Sequence, residues 1–245
     1  MFDHVTIRVT DRPASERFFE KVLTPLGLYT TYKTRSVSMW DDFALTQVEE
    51  DEDITRELHV AFASPSTEQV DGFWQAGVDA GYRDNGPPGP RPRYREDYYG
   101  AFLIDPDGNN IEAVHHGALR RSPDGIIDHV WIRVADLPAA AAFYRMVAGI
   151  AGFDVLRDDA ERVSFGRRAS GGSFSLVPGR ATENLHMAFP GDDAAVLGFY
   201  EEATRAGHRG NGEPGERPQY HLGYFAAYVL DPDGNNVEVV NHNRP

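Results

Sequence analysis

Residues 85–116, NGPPGPRPRYREDYYGAFLIDPDGNNIEAVHH, recur as residues 211–242, NGEPGERPQYHLGYFAAYVLDPDGNNVEVVNH. The two stretches align without a gap, and 18 of the 32 positions are identical by direct count. Self-similarity at a constant offset marks an internal duplication. Each copy closes on one turn, Asp105-Pro106-Asp107-Gly108 or Asp231-Pro232-Asp233-Gly234, with Asp first, a proline of preset φ second and Gly fourth. Such a turn predicts hairpins joining 101–104 to 111–114 and 227–230 to 237–240. Each returning strand carries one carboxylate, Glu112 or Glu238, and a charge inside an apolar strand needs a reason.

Working outward, residues 2–9 alternate, with Val5, Ile7 and Val9 on one face and His4, Thr6 and Arg8 on the other, the period of a half-buried strand. A helix is expected over 13–23, where Phe18, Phe19, Val22 and Leu23 recur at helical spacing behind Pro13. Three short strand-like runs follow, around 28–32, 37–40 and 43–48, which makes a βαβββ unit. The pattern restarts at 57–62, where His59 and Ala61 oppose Leu58, Val60 and Phe62. A helix over about 66–80, a Pro- and Gly-rich loop over 85–92 and the hairpin complete a second unit. After residues 117–124, of linker composition, everything recurs, the strand of His129 repeating that of His4 and the strand of His186 that of His59. The expected fold is α+β, four βαβββ modules in two tandem domains, 1–118 and 125–245, whose mixed sheets curl into cups.

At 245 residues and 41% hydrophobic content the chain can bury a large core. It has no cysteine, so any metal must be held by nitrogen and oxygen. A net charge of -14 argues against nucleic acid or an anionic membrane as partner. No apolar run reaches the length of a membrane span and the start opens directly into a strand pattern, so a cytoplasmic protein is expected. The expected partners are a small-molecule substrate and, among macromolecules, at most a second copy in a homodimer.

On the minority polar faces of the strands stand His4, His59 and Glu112 in the first half and His129, His186 and Glu238 in the second. If each half forms a cup, its two imidazoles and one carboxylate converge as a facial triad with open positions, suited to divalent Fe, Mn, Ni, Co or Zn. The opening Asp-His-Val strands, the Leu-His-(Val/Met)-Ala-Phe strands and the Asp-Pro-Asp-Gly-Asn-Asn-(Ile/Val)-Glu endings resemble the vicinal oxygen chelate superfamily of glyoxalases, bleomycin-resistance proteins, fosfomycin-resistance transferases and extradiol dioxygenases. The resemblance covers His4 to His242 and implies paired βαβββ modules, with metal ligands at the same six residues; since family members differ in how modules pair, it leaves open whether the first strand of a domain completes that domain's own site or a swapped one. It further implies an enzyme whose substrate chelates the ion through adjacent oxygens, either a ring-cleaving dioxygenase or a lyase or isomerase.

Tyr228, ten residues before Glu238, and His221, seven before Tyr228, resemble the catalytic assistants of the extradiol enzymes, although Gln219 and Ala227 depart from that pattern. Phe102 and Arg95 stand at the matching places of the first half, so the second half is the better candidate for turnover. Arg91, Tyr94 and Tyr98, with Arg217, Tyr220 and Tyr224, recur in the loop before each hairpin and are candidates for lining the cup mouth, against ordinary packing and surface pairing. Trp131 shares the face of His129 and could stack on a ligand. His116 and His242 are either supports of the ligands or plain strand-end histidines. Two other functions are weighed: a metal-free protein sequestering a small molecule, which has no need of two triads, and a fosfomycin-type or glutathione transferase, with Arg8, Arg91, Arg133 and Arg217 as its cationic pocket.

Overall fold

The computed structural model describes residues 1–48, 54–117, 125–167 and 172–243. The first module runs β1 (His4–Val9), α1 (Arg12–Leu23), β2 (Tyr32–Lys33), β3 (Val37–Trp40) and β4 (Phe43–Gln47). The second runs β5 (Leu58–Ala63), α2 (Thr67–Asp79), β6 (Arg83–Pro90), β7 (Tyr98–Ile104) and β8 (Asn110–His116). The third is β9 (Ile127–Val134), α3 (Leu137–Ala151), β10 (Asp154–Asp158), β11 (Val163–Gly166) and β12 (Ser173–Pro178). The fourth is β13 (His186–Pro190), α4 (Asp193–Arg205), β14 (Gly210–Glu216), β15 (Phe225–Leu230) and β16 (Asn236–Asn241). Each helix starts on a side-chain cap: Asp11, Ser66, Asp136 and Asp192 accept from the backbone N–H three residues on, meeting a donor the helix itself cannot.

Two local expectations are corrected. The run near residue 28 yields only the two residues of β2, because a 3-10 turn, Thr24–Leu26, ends on Gly27 at φ 71 and delays the strand. The Pro- and Gly-rich stretch expected as a loop is largely strand, β6 and β14. Both lie at sheet edges with register shifts, the setting in which prolines that cannot donate are tolerated. The acidic run 49–53 and, apart from Gly117, the expected linker lie outside the described residues.

The structure also decides which modules pair, which the sequence leaves open. One sheet has the order β14-β15-β16-β13-β1-β4-β3-β2 and the other β10-β11-β12-β9-β5-β8-β7-β6. The first module therefore joins the last through antiparallel β1 and β13, and the two middle modules join through β5 and β9. Neither half closes a cup on itself. Within a half the modules meet instead through their helices, α1 on α2 and α3 on α4, which leaves β1 and β5 to find partners in the other half. Where the chain crosses between sheets, the two halves clasp. Thr55 Oγ1 accepts from the Arg8 amide and donates to the Asn184 carbonyl, and Thr182 Oγ1 accepts from the Arg133 amide and donates to the Glu57 carbonyl. Both threonines are fully buried.

One apolar core serves all four modules. Val5, Ile7 and Val9 of β1 and Leu58, Val60 and Phe62 of β5 face it, as their alternation predicts. Phe2, Phe174 and Phe189, from the first, third and fourth modules, touch one another at ring separations of 5.8–6.3 Å. Separating the halves would expose this shared apolar surface to water.

Asp42, in the β3–β4 turn of one sheet, holds the start of β9 in the other: its Oδ1 accepts from Ile126 N at 2.9 Å and Ile127 N at 3.3 Å. Gly125, at φ 148, is required beside it, since a Cβ there would lie 2.0 Å from Asp42 Oδ2. Burial pushes the Asp42 carboxyl up to about 6, against the two amides that favour its charge. A carboxyl whose pKa is raised on folding stabilises fully below its unfolded value near 4, and that contribution is lost as pH climbs through 6. Asp42→Asn keeps the acceptor and drops the charge, so its urea midpoint is expected to exceed the wild-type value at pH 8, by up to about 3 kcal/mol in stability, with the gap closing by pH 4. A gap that does not change with pH would contradict this account of Asp42.

Candidate metal centres

The register of the sheets sets the ligands. His4 on β1 lies opposite Ala188 on β13, and Ala188 lies opposite Glu238 on β16. Ala61 stands in the same way between His129 and Glu112. A methyl group is all that each middle strand puts between imidazole and carboxylate, while His186 and His59 reach in from two residues along that strand. The DPDGNN turn anchors these middle strands. Asn109 and Asn235, fully buried, accept from the amides of Leu58 and Leu185, which immediately precede His59 and His186. Each asparagine is held in turn by Asp105 or Asp231.

Two triads result, each with ligand atoms within 4.8 Å of one another: His4 with His186 and Glu238, and His59 with Glu112 and His129. All six expected ligands are brought together, but every triad draws on both halves, so the expected sets His4/His59/Glu112 and His129/His186/Glu238 do not form. The cause is the module pairing above. In the first triad Nε2 of His4 and of His186 are 3.1 Å apart, and Glu238 Oε2 lies 3.0 Å from His186 and 3.7 Å from His4. In the second the corresponding separations are 3.2, 3.1 and 3.5 Å. Bonds of about 2.1 Å at right angles place neighbouring donors about 3 Å apart, so both sets fit three positions on one side of a divalent ion.

Charge balance points the same way. Glu112 and Glu238 are each 1% exposed, and both remain acidic: burial raises their pKa, but the neighbouring histidines overcome it, bringing Glu112 to about 2. Asp3 and Asp128 stand behind the triads. Asp3 bridges His4 Nδ1 at 2.8 Å and His242 Nε2 at 2.7 Å, and Asp128 bridges His129 Nδ1 at 2.7 Å and His116 Nε2 at 3.1 Å. A carboxylate on Nδ1 keeps the proton there and turns the Nε2 lone pair toward the centre. Burial disfavours the charged imidazole at all four ligand positions. It prevails at His59 and His186, while the carboxylates raise His4, and raise His129 to about 10. One buried and one half-buried carboxylate per site thus call for positive charge, which a proton or a metal ion can supply.

Tyr98 and Tyr224, expected at the cup mouths, are buried and donate to the second oxygens of the glutamates, at 2.6 Å to Glu112 Oε1 and 2.7 Å to Glu238 Oε1. Their partners Tyr94 and Tyr220 are exposed. Arg91 and Arg217 turn back on their own loops, donating to the carbonyls of Pro87 and Glu213, and their guanidinium groups cover Phe102 and Tyr228. His221 meets the first triad indirectly: it stacks on His242 and hydrogen-bonds to it at 2.8 Å, and His242 holds Asp3. Tyr228 lies directly opposite Glu238 in register, its hydroxyl buried without a hydrogen-bond partner among the described residues. Trp131 is 6.2 Å from His59 and 6.5 Å from His129, ring to ring, in the second cup. The supporting aspartates escaped the sequence reading as separate actors, although each immediately precedes a ligand histidine.

The model of the Glyoxalase/Bleomycin resistance protein/Dioxygenase superfamily matches residues 1–113 and 126–239, and the chain belongs to that family. The fold is similar to glyoxalase I from Zea mays, at 18% identity with a TM-score of 0.69 over 98% of this chain and 92% of that one. A point mutant of that protein superposes with a TM-score of 0.72 at 19% identity over the same shares. A protein from Bacillus subtilis, provisionally described as a dioxygenase, is similar over 99% of this chain and 85% of its own, with a TM-score of 0.63 at 13% identity. No curated protein is significantly similar to the chain. Among the described residues no helix is long and apolar enough to cross a membrane.

If Asp3 and Asp128 orient the ligands, Asp3→Asn should weaken metal retention at the His4/His186/Glu238 triad by about 10–100-fold and leave the other triad unchanged, with Asp128→Asn doing the reverse. Competition with a graded chelator measures this. Uniform loss at both triads in either variant would show that the aspartates support the fold at large.

Proposed function

We propose that the chain is a metal-dependent enzyme acting on a small molecule that presents two adjacent oxygens, with reaction chemistry of the dioxygenase or the lyase and isomerase kind. The observation that carries this reading is the spacing of 3.0–3.7 Å within each two-histidine, one-glutamate set. The set leaves one side of the ion open, which a substrate requires and a closed structural site lacks. Fe, Mn, Ni, Co and Zn all suit these donors. A bound ion would supply Lewis-acid charge to the substrate oxygens.

The two cups differ in what surrounds that charge. Tyr228 stands beside Glu238 where Phe102 stands beside Glu112. Burial and the charge of Glu238 raise the Tyr228 pKa, so its hydroxyl keeps its proton through the neutral range and serves as donor to an oxygen that gains charge during reaction. His221, behind His242, has Arg95 as its counterpart, and Arg95 is paired with Asp97. Turnover is therefore assigned to the His4/His186/Glu238 cup, with Tyr228 as proton donor and His221 assisting through His242 and Asp3. Neither alternative function has matching support: sequestration has no use for two buried ligand sets, and Arg91 and Arg217, offered as anion holders, are engaged with their own backbone carbonyls.

The expected result for Tyr228→Phe is a fall in kcat of about 10²–10⁴-fold with metal content unchanged, on a substrate found by screening catechols for oxygen uptake and hemithioacetals for isomerisation. Full activity in Tyr228→Phe, or activity that disappears instead with Glu112→Gln alone, would overturn the assignment.

A further inference from the structure

The cups share a triad but not their walls. Strand register makes their positions equivalent: Thr6 in one cup takes the place of Trp131 in the other, Val37 that of Arg162 and Met39 that of Ser164. At these positions only the second wall carries an indole and a guanidinium. Arg162 immediately precedes β11 and lies over Trp131, its Cζ 5.3 Å from the indole centroid. Its Nε is buried with no hydrogen-bond partner, and its guanidinium forms no ion pair among the described residues. The nearby acid, Asp159, accepts instead from backbone amides and pairs with Arg157. Arg133, next but one after Trp131 on β9, is no part of this difference: it lies 3.8 Å from Glu57, and Arg8 takes its place in the opposite cup.

A partly buried guanidinium without its anion forgoes the strongest hydrogen bonds available to it, and the fork geometry of that group matches a carboxylate. The indole beneath offers a flat apolar face to a planar ligand. We propose that the His59/Glu112/His129 cup is a binding site for a planar carboxylate, its plane against Trp131 and its carboxylate on Arg162, and that the opposite cup takes a different, less anionic ligand. The proposal rests on the metal reading of that triad only for a second ligand oxygen, which would share the ion. A chain with two such cups would bind one small molecule where it reacts and another where it does not, because Phe102 denies the second cup the hydroxyl that Tyr228 supplies in the first.

The test is calorimetric titration of the zinc-loaded full-length protein with salicylate, which joins a ring, a carboxylate and an adjacent oxygen. Benzoate is titrated in parallel into metal-free protein, since it asks only for Trp131 and Arg162. Binding of both ligands is expected, weakened at least about tenfold in Arg162→Gln and in Trp131→Thr, and unchanged in Val37→Ala. Phenol, without the carboxylate, should bind more weakly than benzoate by a similar factor. Equal affinity in wild type and Arg162→Gln, or no binding of either ligand by the wild type, would overturn the proposal. Zinc content is measured on the same samples. Triads that take up no zinc while benzoate binding still depends on Arg162 would sink the metal reading and leave the anion site standing.

Discussion

Glu112 and Glu238 are charges held at the floor of a sheet, almost wholly out of water, and the rest of the structure is built around that constraint. A buried carboxylate is tolerated only where donors and positive charge surround it. Here Tyr98 or Tyr224 takes one oxygen and a pair of imidazoles faces the other. One imidazole of each pair is tied by a second carboxylate, Asp128 or Asp3, which deepens the negative field at the centre and gives it the charge that a divalent cation would balance.

Assembling these groups needs both halves of the chain. Each triad takes its aspartate-backed histidine from one half and its other two ligands from the other half. The crossing segments that make this closure are tightly specified: Thr55 and Thr182 knit them together, and Glu57 and Asn184, at φ 56 and 57, enter the left-handed region two residues before His59 and His186. Asparagine accepts that conformation readily, whereas for glutamate it costs on the order of 1 kcal/mol. The same bend is kept in both copies, because it aims the ligand strand into the cup.

The modules, their helices and the six residues that converge in the two triads were legible in the sequence because alternation, capping and duplication report local geometry, and the histidines of β1, β5, β9 and β13 lie on the face that alternation assigned them. Module partnership was not legible: β1 can pair with β5 or β13 without changing a single local pattern, and only the shared core and the helix contacts decide. Tyr98 and Tyr224 were read as mouth residues because their spacing places them near the hairpin. Their rings pack instead against His116 and His242 and reach the glutamates. Asn109 and Asn235 looked like turn residues and are also clamps on the ligand strands, a role visible only once distant segments meet.

The account stands most directly on the claim that each ion site spans the two halves. Metal content per chain, measured on two double variants, separates this from closure within halves. His4→Ala combined with His186→Ala should abolish one ion site and spare the other, whereas His4→Ala combined with His59→Ala should abolish both. The opposite pattern, with His4 and His59 removing a single site and His4 and His186 removing both, would contradict the structure's pairing and the chemistry built on it.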